Sequence, residues 1–192
     1  MGGRQQALDD RVLLALLRGI NVGGNKVVPM AALREVAVGL GLRDVGTYIQ
    51  SGNLVFTTDR PIAIVETSLE EAIEHSFGFS VEVIVRTAEQ WQRYAGGSPF
   101  PDAERERPNK LYLGLSKRRP ASGAEATLRA RAQAGERVEV IGDAIWLDYP
   151  SGAGRSKLTP AVLDRAAGST VTMRNWRTVT ALAELLRAKS RS

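Results

Sequence analysis

The chain has 192 residues, of which 26 are lysine or arginine and 21 are aspartate or glutamate, so its formal net charge is +5. With 43% hydrophobic and 24% charged residues, its composition is that of a globular protein and argues against extensive disorder. It has no cysteine and one histidine, His75, which excludes disulfides, thiolate catalysis, iron–sulfur clusters and histidine-rich metal sites.

The positive charge belongs to the second half of the chain. Residues 1–96 carry 9 basic and 11 acidic side chains, whereas residues 97–192 carry 17 basic and 10 acidic ones. The longest apolar run, 12–17, is far shorter than the ~20 residues of a membrane span, and residues 1–10 lack the apolar core of a secretory signal. We therefore expect a cytoplasmic protein without membrane association and with a loose N-terminal arm over residues 1–10.

Strand and helix patterns alternate in the first half. A buried strand is followed by a helix that Pro29 opens, a hairpin around a glycine, a second helix that Gly78 ends, and another strand. In chain order, these segments are 12–17, 29–40, 45–50, 54–58, 61–77 and 80–86. Thr87 and Gln90 then form a capping box that predicts a short helix with Trp91 and Tyr94.

The same order of patterns occurs again in the second half. Residues 96–109 hold three prolines and two glycines without periodicity, which predicts a linker. A strand at 110–115 and a helix at 122–134 follow. Two strands, at 137–142 and 144–149, then form a hairpin around Gly142 and Asp143. A helix at 159–168 and a strand at 169–173 complete the pattern. Asn175 then caps a last helix.

Both halves therefore read β-α-β-β-α-β followed by an extra helix. This order predicts an α+β fold of two tandem ferredoxin-like units with antiparallel sheets. The predicted domains are residues 11–96 and 110–189, joined by a linker at 97–109. Ordinary α/β packing around one mixed sheet is the alternative.

Polar and glycine residues concentrate in two loops of the first half. In a ferredoxin-like unit, the loop after the first strand and the hairpin turn lie at the same end, so their residues are expected to converge. The predicted ligand-binding residues there are Arg18, Asn21, Gly23, Gly24, Lys26, Gln50, Ser51, Gly52 and Asn53. The glycines allow a ligand to approach backbone N–H groups. A tight connection between a strand and a helix is the alternative.

A second candidate cluster lies in the second half, where the loop 151–157 enters a helix and the last strand ends. Its predicted residues are Arg155, Lys157, Arg174 and Asn175. Two helix N-termini at this end, with their unpaired N–H groups, favour an anion. A flexible surface loop is the alternative.

The sequence gives weaker signals for other functional classes. The carboxylates of the helix at 61–77 are typical of a solvated face, and no metal-binding pattern occurs. The strand at 110–115 resembles one motif of RNA-recognition modules, but the second motif is absent. For catalysis, the pair to consider is Lys157 beside Ser156, and no residue is assigned a catalytic role.

Several segments together resemble one protein family. LLRGINVGG and YIQSGN are the most specific, and FGFSVEVIVRT, SKLTPAVLDRAAG and TMRNWRTVTALAEL agree with them. With these segments the sequence resembles the bacterial family of unknown function numbered 1697 over about residues 11–187. The resemblance implies a duplicated ferredoxin-like fold and no established reaction. Its recurring positions are those of the two loop clusters except Arg155, together with Trp176, whereas 97–109 and 117–137 carry no family pattern.

The hypothesis that these observations favour is binding of a small anionic ligand, such as a nucleotide or a phosphorylated metabolite, without a cofactor or a metal. Nucleic-acid binding through the basic C-terminal half is an alternative, because segments 105–110 and 117–119 could form a cationic patch with Arg129, Arg131 and Arg137. A structural or interaction module without a ligand is the other. The oligomeric state is left open.

Overall fold

The computed structural model describes residues 10–191, so residues 1–9, most of the predicted N-terminal arm, lie outside the described residues. The chain divides into two units. The first comprises the residues up to Ala88 together with residues 186–191, and the second is Glu89–Leu185. Each unit contains one four-stranded antiparallel sheet.

The first unit contains four strands and two helices. In chain order they are β1 (Arg11–Leu17), α1 (Met30–Gly39), β2 (Arg43–Tyr48), β3 (Asn53–Thr58), α2 (Ile62–Phe77) and β4 (Val83–Thr87). The strand order in the sheet is β2-β3-β1-β4. The strands β2 and β4 are therefore the two edges, and β1 pairs with both β3 and β4.

Periodic apolar residues build the core of this unit. The predicted stripe of α2 is buried at Val65, Leu69 and Ile73, and Leu33 and Ala37 of α1 are buried with it. Both helices pack against alternate residues of the strands, since successive strand side chains point to opposite faces. The helices end as the sequence predicts, with Gly78 in the left-handed conformation after α2.

The remaining elements are four strands and five helices. They are α3 (Ala88–Ala95), α4 (Pro101–Glu106), β5 (Leu111–Ser116), α5 (Ala124–Arg129), β6 (Arg137–Ile141), β7 (Ala144–Asp148), α6 (Pro160–Ala167), β8 (Val171–Asn175) and α7 (Trp176–Lys189). The strand order is β6-β7-β5-β8. Leu128 of α5 and Leu163 of α6 pack with Ile145 and Leu147 of β7. Two separate antiparallel sheets rule out the single mixed sheet.

The division of the chain differs from the predicted domain boundaries. The helix α3, which we expected at the end of the first unit, belongs to the second one. There, the indole Nε1–H of Trp91 donates to the backbone oxygen of Val179 in α7 at 3.0 Å, and Gln92 donates to that of Ala183 at 2.7 Å. Tertiary contacts of this kind are not visible in the local sequence pattern.

The predicted linker also differs, because it contains the helix α4. An ion cluster holds this segment in place. Arg107 donates to both carboxylate oxygens of the fully buried Asp148, at 3.0 and 2.8 Å, and Arg137 donates to the same carboxylate at 2.9 Å. Both arginines also reach Asp102 of α4 at 2.8 Å. The guanidinium of Arg137 lies 4.6 Å from the ring centre of Phe100. Such tertiary contacts stabilise this helix, which is too short to be stable through its own sequence alone.

Candidate functional site

The loop between β1 and α1, residues 18–28, is here called the glycine loop. Gly23 and Gly24 both have positive φ, at 60° and 79°, and the backbone N–H of Asn25 donates to Val22 at 3.1 Å. A tight turn with two successive residues at positive φ favours glycine at both positions. The two glycines therefore have a conformational role that requires no ligand.

The side chain of Asn21 connects the glycine loop to the hairpin turn between β2 and β3. Its Nδ2 donates to the backbone oxygens of Val28, at 3.0 Å, and Gln50, at 2.8 Å, while its Oδ1 accepts from the Val28 N–H at 2.8 Å. The two predicted loops thus meet at this residue. Asn21 has φ 54°, a conformation that asparagine tolerates better than most residues.

The hairpin turn is held by its own predicted residues. The backbone oxygen of Gly52 accepts from the N–H of Leu17 at 2.8 Å. Asn53 is fully buried, and its Nδ2 donates to the Tyr48 backbone oxygen and to Ser51 Oγ, both at 3.0 Å. Gly52, Ser51 and Asn53 therefore shape the turn, whether or not a ligand binds beside it.

A groove of about 750 Å³ opens beside the glycine loop in the first unit. Ten residues from the glycine loop, α2 and the segment before β4 line it: Arg18, Gly19, Lys26, Thr67, Glu70, Glu71, Glu74, Ser80, Val81 and Glu82. The ammonium of Lys26 donates to the Ser80 backbone oxygen at 2.7 Å, and the Arg18 N–H donates to that of Glu82 at 3.0 Å. Two of the predicted ligand-binding residues thus line the groove, and both are cationic.

Sequence reasoning missed the acidic side of this groove, because it assigned the carboxylates of α2 to a solvated face. Four glutamates line the groove against the two cations. The available signal was their position next to the buried stripe of α2, since Glu70 and Glu74 each follow a stripe residue directly. The fold brings this flank of α2 alongside the glycine loop.

Two glutamates of α2 have a clear structural role at the edge strand β4. Glu66 Oε1 accepts from the backbone N–H of Val85, and Glu70 Oε1 accepts from that of Val83, both at 2.8 Å. An edge strand has N–H groups that no neighbouring strand pairs. These carboxylates satisfy two of them, so Glu70 is needed by the fold as well as lining the groove.

The residues of the second predicted cluster do not line the groove, and each makes contacts of its own. The Lys157 ammonium donates to Gln133 Oε1 at 2.7 Å, and Asn175 Oδ1 accepts from the Thr178 N–H at 3.0 Å as the predicted helix cap. Arg174 is 7% exposed, and its guanidinium donates to Thr172 Oγ1 at 3.0 Å. Burial lowers the pKa of Arg174 to about 10, which keeps it cationic at neutral pH. Arg155 is exposed at the end of a 3-10 turn.

Ser156 and Lys157, the pair considered for catalysis, each bind a different side chain. Ser156 Oγ donates to Glu136 and accepts from the Leu158 N–H at 3.0 Å, whereas Lys157 is bonded to Gln133. Burial raises the pKa of Glu136, but hydrogen bonds from Ser156 and the Ala134 N–H outweigh that effect and hold it below its usual value. These contacts make the serine a structural residue of the loop.

Many basic side chains of the second unit are bound to the protein itself. Arg118, Arg119 and Arg129 donate to the backbone oxygens of Gly168, Gly142 and Val138, at 3.1, 3.1 and 2.9 Å. Arg107 and Arg137 belong to the ion cluster described above. Much of the charge surplus in this half therefore serves internal contacts.

The sequence matches one family profile, described as a protein of unknown function (DUF1697), over residues 11–146. The chain belongs to the DUF1697 family. This confirms the family resemblance. The motifs LLRGINVGG, YIQSGN and FGFSVEVIVRT fall inside the matched region, whereas the two segments at 156–168 and 172–185 lie beyond it. No curated protein matches the chain.

A solved structure described as conserved bacterial protein SP0830 from Streptococcus pneumoniae is similar to the chain, with a TM-score of 0.71 and 22% sequence identity. The alignment covers 93% of this chain and 99% of the other. At this identity the similarity establishes a shared fold over nearly the whole chain.

Two further features concern metals and membranes. Within residues 10–191, no three histidine, aspartate or glutamate side chains are grouped in a way that could hold a metal ion. In the same described range, no helix is long and apolar enough to cross a membrane.

Proposed function

We propose that this DUF1697 protein binds a small ligand in the groove of its first unit, through an anionic group of the ligand. The observation that carries the proposal is the position of Arg18 and Lys26, two cations from one glycine loop that line a cavity of about 750 Å³. This volume lies in the range of small-molecule sites. A nucleotide or a phosphorylated metabolite is the ligand class that the two cations favour.

The glycine loop is organised without a ligand, which supports binding. Asn21 fixes the loop to Val28 and Gln50, and the Lys26 ammonium is held at Ser80 with two further N–H donors remaining. A group that is already positioned loses less conformational freedom on binding than a mobile one. An anionic group of the ligand would therefore meet donors that are already in place.

The second cluster remains a prediction, and its geometry supports ligand binding less well. Arg174 is buried and Lys157 is bonded to Gln133, so Arg155 is the most accessible cation of that group. Nucleic-acid binding through the basic half is also less favoured, because five of its arginines make internal contacts.

We also infer that the two units are ferredoxin-like repeats. Each has the element order β-α-β-β-α-β, and each sheet places its first strand between the third and the fourth. The two strand orders, β2-β3-β1-β4 and β6-β7-β5-β8, are the same order written for successive copies. A duplication is the simplest source of this equivalence.

The test of the binding proposal is a thermal unfolding screen with nucleotides, phosphate esters and carboxylates, followed by calorimetric titration. A ligand of the folded state stabilises by RT ln(1 + [L]/Kd), which is about 2.7 kcal/mol at one hundred times Kd. We expect Lys26→Gln and Arg18→Gln each to weaken the binding of any hit at least ten-fold.

Lys110→Gln is the matched control. Like Lys26, Lys110 is exposed and donates from its ammonium to a backbone oxygen at 2.7 Å, but it does so at Pro150, in the second unit. It is expected to bind the hit with the wild-type affinity. If no compound in the panel stabilises the protein, or if Lys110→Gln weakens binding as much as Lys26→Gln, the proposed site is wrong. The first of these outcomes favours an interaction module without a ligand.

A further inference from the structure

The lining of the groove carries both signs of charge. Arg18 and Lys26 come from the glycine loop, whereas Glu70, Glu71 and Glu74 come from α2. Glu82 lies just before β4, next to Arg18. The charged lining therefore has a formal net charge of −2. A ligand that is only anionic would be attracted by the two cations and repelled by the four carboxylates of the lining.

The fold does not account for all of this negative charge. Glu70 accepts the Val83 N–H, and the backbone oxygen of Glu82 accepts the Arg18 N–H. By contrast, Glu71 and Glu74 are exposed, and within the described residues 10–191 no hydrogen bond or ion pair engages their carboxylates. Three residues apart on α2, they lie on neighbouring positions of one helix face.

We infer that the ligand of this groove carries an ammonium group in addition to its acidic group, as an amino acid or an aminoalkyl phosphate does. The inference rests on the proposed function, because it takes the acidic group to lie at Arg18 and Lys26. The ammonium then lies at Glu71 and Glu74. Such a ligand can form charge-assisted hydrogen bonds at both ends, with the cations of the glycine loop and with the carboxylates of α2.

The net charge of a ligand would not by itself determine its binding, because the groove presents both cations and carboxylates. An amino acid is neutral overall, yet each of its charged groups has a group of opposite sign in the lining. Removal of the ammonium leaves the acidic group of the ligand near the carboxylates of Glu71 and Glu74 without a compensating cation, which weakens binding.

The experiment compares ligands that differ only in the amine. The probes are the proteinogenic amino acids without a basic side chain against their N-acetyl derivatives, and phosphoethanolamine against ethyl phosphate, each titrated into the full chain by calorimetry. We expect at least one amine-bearing acid to bind ten-fold or more tightly than its amine-free counterpart. In Glu71→Gln with Glu74→Gln, this preference is expected to disappear, with amine-free acids binding as well as or better than they do to the wild-type protein.

Glu35→Gln with Glu184→Gln is the control, because it removes the same charge at two exposed helical positions that do not line the groove. It is expected to keep the preference. If amine-free acids bind the wild-type protein as tightly as their amine-bearing partners, the inference is overturned while the proposed anion site stands. If the preference persists in the Glu71 and Glu74 variant, the assignment to these carboxylates is overturned. If neither set binds, nor the nucleotides and phosphate esters, the proposed function itself fails.

Discussion

Asn21 pairs with Val28 through two hydrogen bonds that imitate a pair of residues in an antiparallel ladder. The amide Nδ2 of Asn21 donates to the Val28 backbone oxygen, and its Oδ1 accepts from the Val28 N–H. Val28 is fully buried, so its N–H and oxygen depend on such a partner. One side chain thereby closes the whole glycine loop.

Asn21→Ala is expected to lower the free energy of unfolding by about 2–3 kcal/mol, because it leaves the backbone groups of buried Val28 without their partner. Urea denaturation monitored by circular dichroism measures this. The control is Asn25→Ala in the same loop, an exposed position, with an expected change below about 0.5 kcal/mol. Equal effects of the two substitutions would contradict the role of Asn21.

Gly52→Ala is expected to destabilise the protein far more than Gly23→Ala. Both positions have positive φ, 72° and 60°, which costs an alanine about 1 kcal/mol or more. Only at Gly52 would a Cβ also lie 2.7 Å from Leu17 Cβ and 2.8 Å from Ile20 Cδ1. We expect a loss of about 3 kcal/mol against about 1 kcal/mol for Gly23→Ala. Chemical denaturation of both variants tests this, and similar losses would show that the close approach is unimportant.

Asp148→Asn is expected to cost about 3 kcal/mol, because it removes the buried anion on which Arg107 and Arg137 converge. The exposed pair of Arg93 with Glu89, four residues apart on α3, provides the comparison. Glu89→Gln should change the unfolding free energy by less than about 0.5 kcal/mol. Equilibrium unfolding in urea at pH 7 measures both. A small loss for Asp148→Asn would mean that the cluster contributes little to stability.

Asp102 makes the stability depend on acid pH. The hydrogen bond from Arg137 holds the pKa of Asp102 well below its usual value of 3.8, so the native state binds fewer protons than the unfolded chain. The contribution is complete above the unfolded pKa and is lost as the pH falls through the native pKa. Stability should therefore decline from about pH 5 downward, and less steeply in Asp102→Asn. Unfolding curves at several pH values from 7 to 3 test this, and parallel declines in both proteins would refute it.

The helices α2 and α6 show how much local sequence decides. Their apolar spacing, the prolines at their starts and the glycines after their ends predict them closely, because each signal acts within a few residues. In contrast, α4 lies in a segment without periodicity. Its position depends on the contact of Arg107, just after the helix, with Asp148, 41 residues away, and on that of Asp102 with Arg137, 35 residues away. No local pattern contains such contacts.

The candidate site, like the fold, could be predicted from the sequence only in part. Arg18 and Lys26 were predicted from a loop between a strand and a helix, and the structure places both at one groove. Asn21 and Asn53 also bind backbone groups, which the sequence did not indicate, because it shows a polar side chain but not the backbone group that it binds. Their predicted part in ligand binding stays a prediction.

By itself, the sequence determined the family, the repeated order β-α-β-β-α-β and the positions of the glycine turns, since periodicity and turn residues act over short distances. Only the tertiary structure decided that Glu71 and Glu74 line the same groove as Arg18 and Lys26. The same holds for the arginines of the second unit that bind the protein's own backbone. The physical reason is that the charges around this groove are set by how α2 packs on its sheet, and residues far apart in sequence become neighbours through that packing.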